Sequence, residues 1–201
     1  LGLKHPFDSP AVPLDHQSQS YTVMNYGLYR NEYMILYPNI DSAFHPETLM
    51  LEDIRTLQYL YGANFNAKSG NTTYTWNPST GAMTTTDTAL DGTSTTSTMT
   101  PYINNILMTV WDGGGTDTYD FSLYATGVRA SLQPGAWTTT AANQLPSYDV
   151  SFGPPAAPPG NIANAYLYVN PTNGVADLRS LIENAIGGSG DDVITGNQTT
   201  N

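Results

Sequence analysis

The run Gly187-Gly188-Ser189-Gly190-Asp191-Asp192-Val193-Ile194-Thr195 constrains this chain more than any other stretch. Three glycines within four residues fit a tight turn, and they permit the positive φ that points backbone carbonyls inward. Asp192 adds a carboxylate, giving the oxygen-rich setting that a hard divalent cation takes. Ile194 lies in a short strand and faces a core. The sequence holds one full copy of the run.

Composition agrees with a cation-binding reading. The chain carries 17 acidic and six basic residues, a net charge of −11. It has no basic stripe to neutralise phosphates, which excludes nucleic acid and anionic membranes as partners. Cysteine is absent. That rules out disulfides, thiolate-ligated zinc and a cysteine nucleophile. No apolar run approaches the roughly 20 residues needed to span a bilayer, and nothing near Leu1 reads as a signal peptide.

Three textures follow one another. Residues 1–45 are loop-rich, dense in Pro, His, Ser and Tyr. Pro46 to Tyr61 reads as a helix, with Pro46 as the first helical residue, Glu47 near the positive end of the dipole and Gly62 as the stop. Met50, Ile54, Leu57 and Tyr61 recur at steps of three or four, widened by Leu49, Leu51 and Leu60 into a stripe that faces a core. From about Asn64 the pattern turns to short strands: Thr72–Trp76, Ile106–Trp111, Tyr119–Leu123, Val128–Leu132 and Ala165–Val169. Thr84–Thr100 reads as polar turns or exposed edge strand. Ser151–Asn161, with its four prolines, reads as a loop.

Two further constellations carry chemistry. The first is Leu1-Gly2-Leu3-Lys4-His5-Pro6, followed by Tyr21-Thr22-Val23-Met24-Asn25-Tyr26. The second is Trp111-Asp112-Gly113-Gly114-Gly115-Thr116-Asp117-Thr118-Tyr119-Asp120-Phe121, where two carboxylates spaced by glycines make a compact oxygen-rich loop. Asp120 reads as a turn cap, and His16 and His45 as structural or solvent-facing.

Together these segments resemble the serralysins, secreted zinc proteases of the metzincin group. The first segment is similar to the end of the metzincin zinc signature (His-Glu-x-x-His-x-x-Gly-x-x-His), with its Met-turn downstream. The resemblance makes Gly2 the glycine at which the chain leaves the catalytic helix, and His5 the third zinc histidine. It makes Met24 the Met-turn methionine, an apolar floor beneath the imidazoles. Tyr26 becomes the tyrosine that ligates zinc and swings aside to stabilise the transition state. Two histidines and the glutamate base of the signature would lie just before Leu1, so one zinc is implied but its site is incomplete here. The chain is expected to be a C-terminal fragment that is inactive alone. Three protein ligands hold a catalytic zinc, and the glutamate activates its water.

At the other end, Gly187–Thr195 fits the nine-residue calcium-binding β-roll repeat Gly-Gly-x-Gly-x-Asp-x-apolar-x at every fixed position. The resemblance makes Gly187, Gly188, Gly190 and Asp192 calcium ligands, in a roll where an ion is shared between two successive turns, so that one repeat supplies half a site. Asp112–Phe121 is similar to the serralysin loop that binds two calcium ions. Carried over, one site takes Asp112, Asp117 and the Gly114 carbonyl, with the carbonyls of Lys68, Gly70 and Thr72. The other takes Gly115, Asp117, the Leu181 carbonyl and Glu183. The resemblance is poor over Thr84–Pro101 and Pro134–Ala176.

The expected fold is mixed and β-rich. A remnant of the metzincin C-terminal subdomain with one clear helix (1–62) precedes a calcium-binding β-sandwich or β-roll (63–201). The implied parent is a secreted zinc endopeptidase acting on proteins and peptides, extracellular, monomeric and exported through a C-terminal signal, with two or more calcium ions. The alternative is a non-enzymatic calcium-binding module that serves in secretion or binding.

Overall fold

The computed structural model describes residues 1–26, 45–146 and 159–199. Helix α1 is Leu51–Tyr61. The strands are β1 (Asn71–Trp76), β2 (Met83–Thr88), β3 (Ser94–Met99), β4 (Met108–Val110), β5 (Thr118–Asp120), β6 (Arg129–Ser131), β7 (Trp137–Thr138), β8 (Ile162–Asn164), β9 (Tyr168–Val169), β10 (Ala176–Asp177), β11 (Asn184–Ile186) and β12 (Val193–Thr195).

The largest sheet runs β11-β5-β1-β2-β3. Its β1–β2 and β2–β3 pairs are antiparallel, whereas β5 lies parallel to both β1 and β11. A second sheet is β4-β8-β7, and β6 pairs in parallel with β12. The two parallel pairs, β5–β11 and β6–β12, stack the chain from 118 to 131 on the chain from 184 to 195 as neighbouring coils of a β-roll. The fold is thus β-rich with one α-helix among the described residues, as expected.

Alternation along β1 builds the core. Thr72, Tyr74 and Trp76 point inward while Thr73 and Thr75 point out, the period of two that a pleated strand imposes. Trp76 stacks on Phe121 with centroids 5.1 Å apart, and Tyr119 meets Trp76 edge-on at 5.1 Å. Tyr74, Trp76, Tyr119 and Phe121 are fully buried, so they supply most of the apolar area on this face. The Tyr119 hydroxyl donates to Asn164 Oδ1 at 2.7 Å, tying the large sheet to β8.

The helix differs from expectation at its start. It begins at Leu51, not Pro46, because residues 47–48 are held by β4 instead. Glu47 N–H donates to the Leu107 carbonyl at 2.9 Å, Leu107 N–H donates to Glu47 Oε2 at 2.8 Å, and Thr109 N–H donates to Thr48 Oγ1 at 2.8 Å. Asp53 Oδ2 then accepts the Met50 N–H at 2.9 Å, which satisfies a donor that the first helical turn leaves open. The buried side is Met50, Leu51, Glu52, Asp53 and Gln58, and Leu49, Leu60 and Tyr61 are exposed. Polar bonding to the neighbouring loop therefore decides which face packs.

The strand boundaries shift as well. Thr84–Thr100 forms the β2–β3 hairpin, with β3 as an exposed edge. The segments expected at 106–111, 128–132 and 165–169 contain only the shorter β4, β6 and β9. Strand β5 starts one residue before the expected 119–123 and ends at Asp120, and the sequence reading missed β7, β8, β10 and β11. The proline-bearing loop expected from Ser151 lies outside the described residues as far as 158.

Candidate metal centre

Three distant segments meet at the 112–117 loop. Thr72 N–H donates to Asp117 Oδ1 at 2.8 Å, Asp117 N–H donates to Glu183 Oε2 at 2.7 Å, and Asn184 N–H donates to the Asp117 carbonyl at 2.9 Å. Thr116 N–H reaches Asn71 Oδ1 at 3.0 Å. Glycine lets the backbones come this close. A Cβ on Gly115 would lie 2.0 Å from the Gly70 carbonyl oxygen, and one on Gly113 would lie 2.4 Å from that of Ala67. Gly114 and Gly115 both hold positive φ, as does Lys68 at 53°.

Asp112 and Asp117 are 1% and 0% exposed. Both Asp112 oxygens are engaged: Oδ1 accepts the Gly114 N–H at 2.8 Å and Oδ2 accepts the Tyr74 hydroxyl at 2.7 Å. Asp117 Oδ2 is buried without a hydrogen-bond partner. Burial, and the neighbouring Asp112 charge, push the Asp117 carboxyl well above the usual carboxylate range. Burial raises Asp112 and Glu183 in the same way.

Such an arrangement is poorly satisfied without a cation. Two carboxylates out of water repel each other, and one oxygen has no donor. The donor set fits calcium, which takes carboxylate and carbonyl oxygens together. It does not fit a site built from side chains alone: among the described residues no three His, Cys, Asp or Glu side chains converge to hold a metal. Lys68, Gly70 and Thr72 lie on one side of the loop, and Leu181 and Glu183 lie on the other.

The 187–195 run docks on the coil before it. Ser189 N–H donates to the Tyr124 carbonyl at 2.9 Å, Val193 N–H donates to that of Val128 at 2.8 Å, and Asp192 Oδ1 accepts the Val128 N–H at 2.8 Å. The glycines serve a purpose other than the expected one. None of Gly187, Gly188 and Gly190 is among the positive-φ glycines. A Cβ would instead collide, at 2.0 Å from the Tyr124 carbonyl oxygen for Gly188 and 2.4 Å from the Thr126 carbonyl carbon for Gly190. Close stacking of coils is what requires them.

At the N-terminal end, Tyr26 and His5 do come together. The Tyr26 hydroxyl lies 2.6 Å from His5 Nε2, and both side chains face solvent in part. His5 Nδ1 pairs with Asp8 at 3.3 Å. Gly2 has φ +79°. Asp53 anchors the turn around half-buried Met24, with Oδ1 accepting the Thr22 hydroxyl at 2.6 Å and Oδ2 the Val23 N–H at 2.8 Å. One histidine and one tyrosine do not make the three-ligand set of a catalytic zinc, so the residues present do not fit that metal by themselves.

The remaining candidates are structural. His16 Nδ1 bonds Glu52 Oε1 at 2.6 Å, His45 Nδ1 bonds Gln19 Oε1 at 2.8 Å, and Asp120 Oδ1 caps a turn through the Ser122 N–H at 2.9 Å. Sequence reasoning missed Tyr74, Asp87 and Asp53. Tyr74 shares the inward face of β1 with Thr72, a signal present in the period of two. Asp87 and Asp53 gave no local signal.

Comparison with known proteins adds an independent line. Residues 63–141 match the family model described as the Peptidase M10 serralysin C terminal. Over the whole chain the sequence is 30% identical to the metallopeptidase AprA of Pseudomonas marginalis and 31% identical to a serralysin of Proteus mirabilis, covering 36% and 34% of those proteins. It is 34% identical to serralysin B of Dickeya chrysanthemi over 72% of the chain and 22% of that protein. The chain thus spans about a third of the length of the full-coverage relatives.

Proposed function

From a chain that belongs to the serralysin type of M10 proteins, we propose that its own biochemical role is to bind calcium, within a parent protein that is a secreted zinc endopeptidase acting on proteins and peptides. The observation that carries this is the buried pair Asp112 and Asp117, one of whose oxygens lacks any donor. Asp112, Asp117 and the Gly114 carbonyl, with the carbonyls of Lys68, Gly70 and Thr72, would hold one ion. Gly115, Asp117, Leu181 and Glu183 would hold another, and Gly187, Gly188, Gly190 and Asp192 would contribute to a third. Calcium supplies positive charge that relieves carboxylate repulsion and joins segments far apart in sequence.

His5 and Tyr26 belong to the zinc site in this reading, with Tyr26 as the transition-state stabiliser. The chain as given is inactive in proteolysis, because His5 is the only zinc histidine of the signature within it. Folding coupled to calcium suits a protein exported through a C-terminal signal and folded outside the cell. No helix among the described residues is long and apolar enough to cross a membrane.

Thermal unfolding tests the reading. Millimolar calcium is expected to raise the Tm of the 201-residue chain, since a ligand at 100 times its Kd adds about 2.7 kcal/mol to stability. An unchanged Tm would remove the calcium assignment.

A further inference from the structure

We infer that Tyr74 and Asp87, neither of them a ligand, are positioning residues that preset the calcium loop from the β1–β2 ladder. This rests on the calcium reading above and extends it to side chains outside the ligand set.

Tyr74 lies on β1, fully buried, with its hydroxyl donating to Asp112 Oδ2 at 2.7 Å. The Gly114 N–H fixes the other oxygen of the same carboxylate at 2.8 Å. Asp112 is therefore clamped from both ends, and each oxygen keeps a lone pair for an ion. The Tyr74 ring also faces the Lys68 ammonium, 4.8 Å from its centroid. One side chain thus touches two of the residues assigned to the first ion.

Asp87 acts on a third. Strand register places it opposite Thr72, and its Oδ1 accepts the Gly70 N–H at 3.1 Å. That bond orients the Gly70 peptide, whose carbonyl is an assigned ligand. The approach is close enough that a Cβ on Gly70 would lie 2.4 Å from Asp87 Oδ1. Asp87 sits on β2 of the β2–β3 hairpin, so the brace reaches the loop from outside the segments that supply the assigned ligands. Residues that orient metal ligands commonly carry 10–100-fold in affinity.

The test is calcium titration calorimetry on the 201-residue chain, with Tm measured in chelator and in calcium. Tyr74→Phe keeps the ring and its cation contact but removes the hydroxyl, and is expected to weaken calcium about tenfold. Its Tm is expected to fall more in calcium than in chelator. Asp87→Ala is expected to weaken calcium similarly, whereas Asp87→Asn, which retains an oxygen acceptor, restores most of the affinity. Wild-type calcium affinity in both Tyr74→Phe and Asp87→Ala would overturn the inference while leaving the calcium reading intact. So would equal loss of Tm with and without calcium, the mark of a purely structural role. A wild-type chain that shows no calcium binding would sink the underlying reading instead.

Discussion

Glu47 is half-buried and Asp117 fully buried, and loss of water works against the charged form of each. Burial raises the Glu47 carboxyl to about 7, although the Leu107 N–H donates to it. Asp117 moves in the same direction through burial and Asp112. A folded-state value above the unfolded one means that the stability linked to the proton is complete below the unfolded pKa. It is lost as pH rises through the folded value. For Glu47 that window runs from about 4.5 to about 7. Calcium-free chain is therefore expected to lose Tm as pH rises across this range. In the proposed sites calcium would bind deprotonated carboxylates, and Asp117 is raised to about 9, so its stabilising increment is expected to grow with pH beyond the Glu47 window, up to about 9. Calorimetric scans in chelator and in calcium check this, and parallel pH slopes in the two would count against it. At this scale the sequence was informative about the acidic loop, because Asp112 and Asp117 announce themselves by glycine spacing. It was silent about Asp87, whose relation to Gly70 exists only once β2 is in register with β1.

Among the elements, the 187–195 coil shows how the glycines of a motif can serve a physical purpose other than the one expected of them. Its glycines were expected to supply positive φ, but they supply room for the carbonyls of the preceding coil. The coil they rest on, 121–128, has a single glycine at 127, so nothing in its own sequence marked it as the partner. Gly188→Ala places a methyl carbon 2.0 Å from the Tyr124 carbonyl oxygen. It should cost roughly 1–3 kcal/mol, the range for forced overpacking. Ser189→Ala, at an exposed side chain beside it, should cost almost nothing. Chemical denaturation of the two variants compares them, and equal stabilities would mean that the coils do not stack as described. Helix α1 teaches a related point. Proline and glycine marked its neighbourhood, and its C-terminal end was placed well. Its start depended on Glu47 and Thr48 finding β4, a contact some 60 residues away that no local pattern encodes.

For the molecule as a whole, the β-rich class was legible from strand-like runs and turn residues, and serralysin-type relatives agree with it. Sheet order was not legible. The parallel neighbours of β5 come from either side of it in sequence, β1 at 71–76 and β11 at 184–186. The 112–117 loop sits where those three segments meet, so an ion there joins the start, middle and end of the β region at once. Asp117 is common to both ions assigned to that loop, and its oxygen without a donor is the clearest sign that a cation is wanted. Titration calorimetry of calcium into wild type and Asp117→Ala at neutral pH therefore bears most directly on the account. Wild type is expected to bind at least two ions, and Asp117→Ala to lose both sites of the 112–117 loop. Wild-type stoichiometry and affinity in Asp117→Ala, or no binding in either protein, would contradict it.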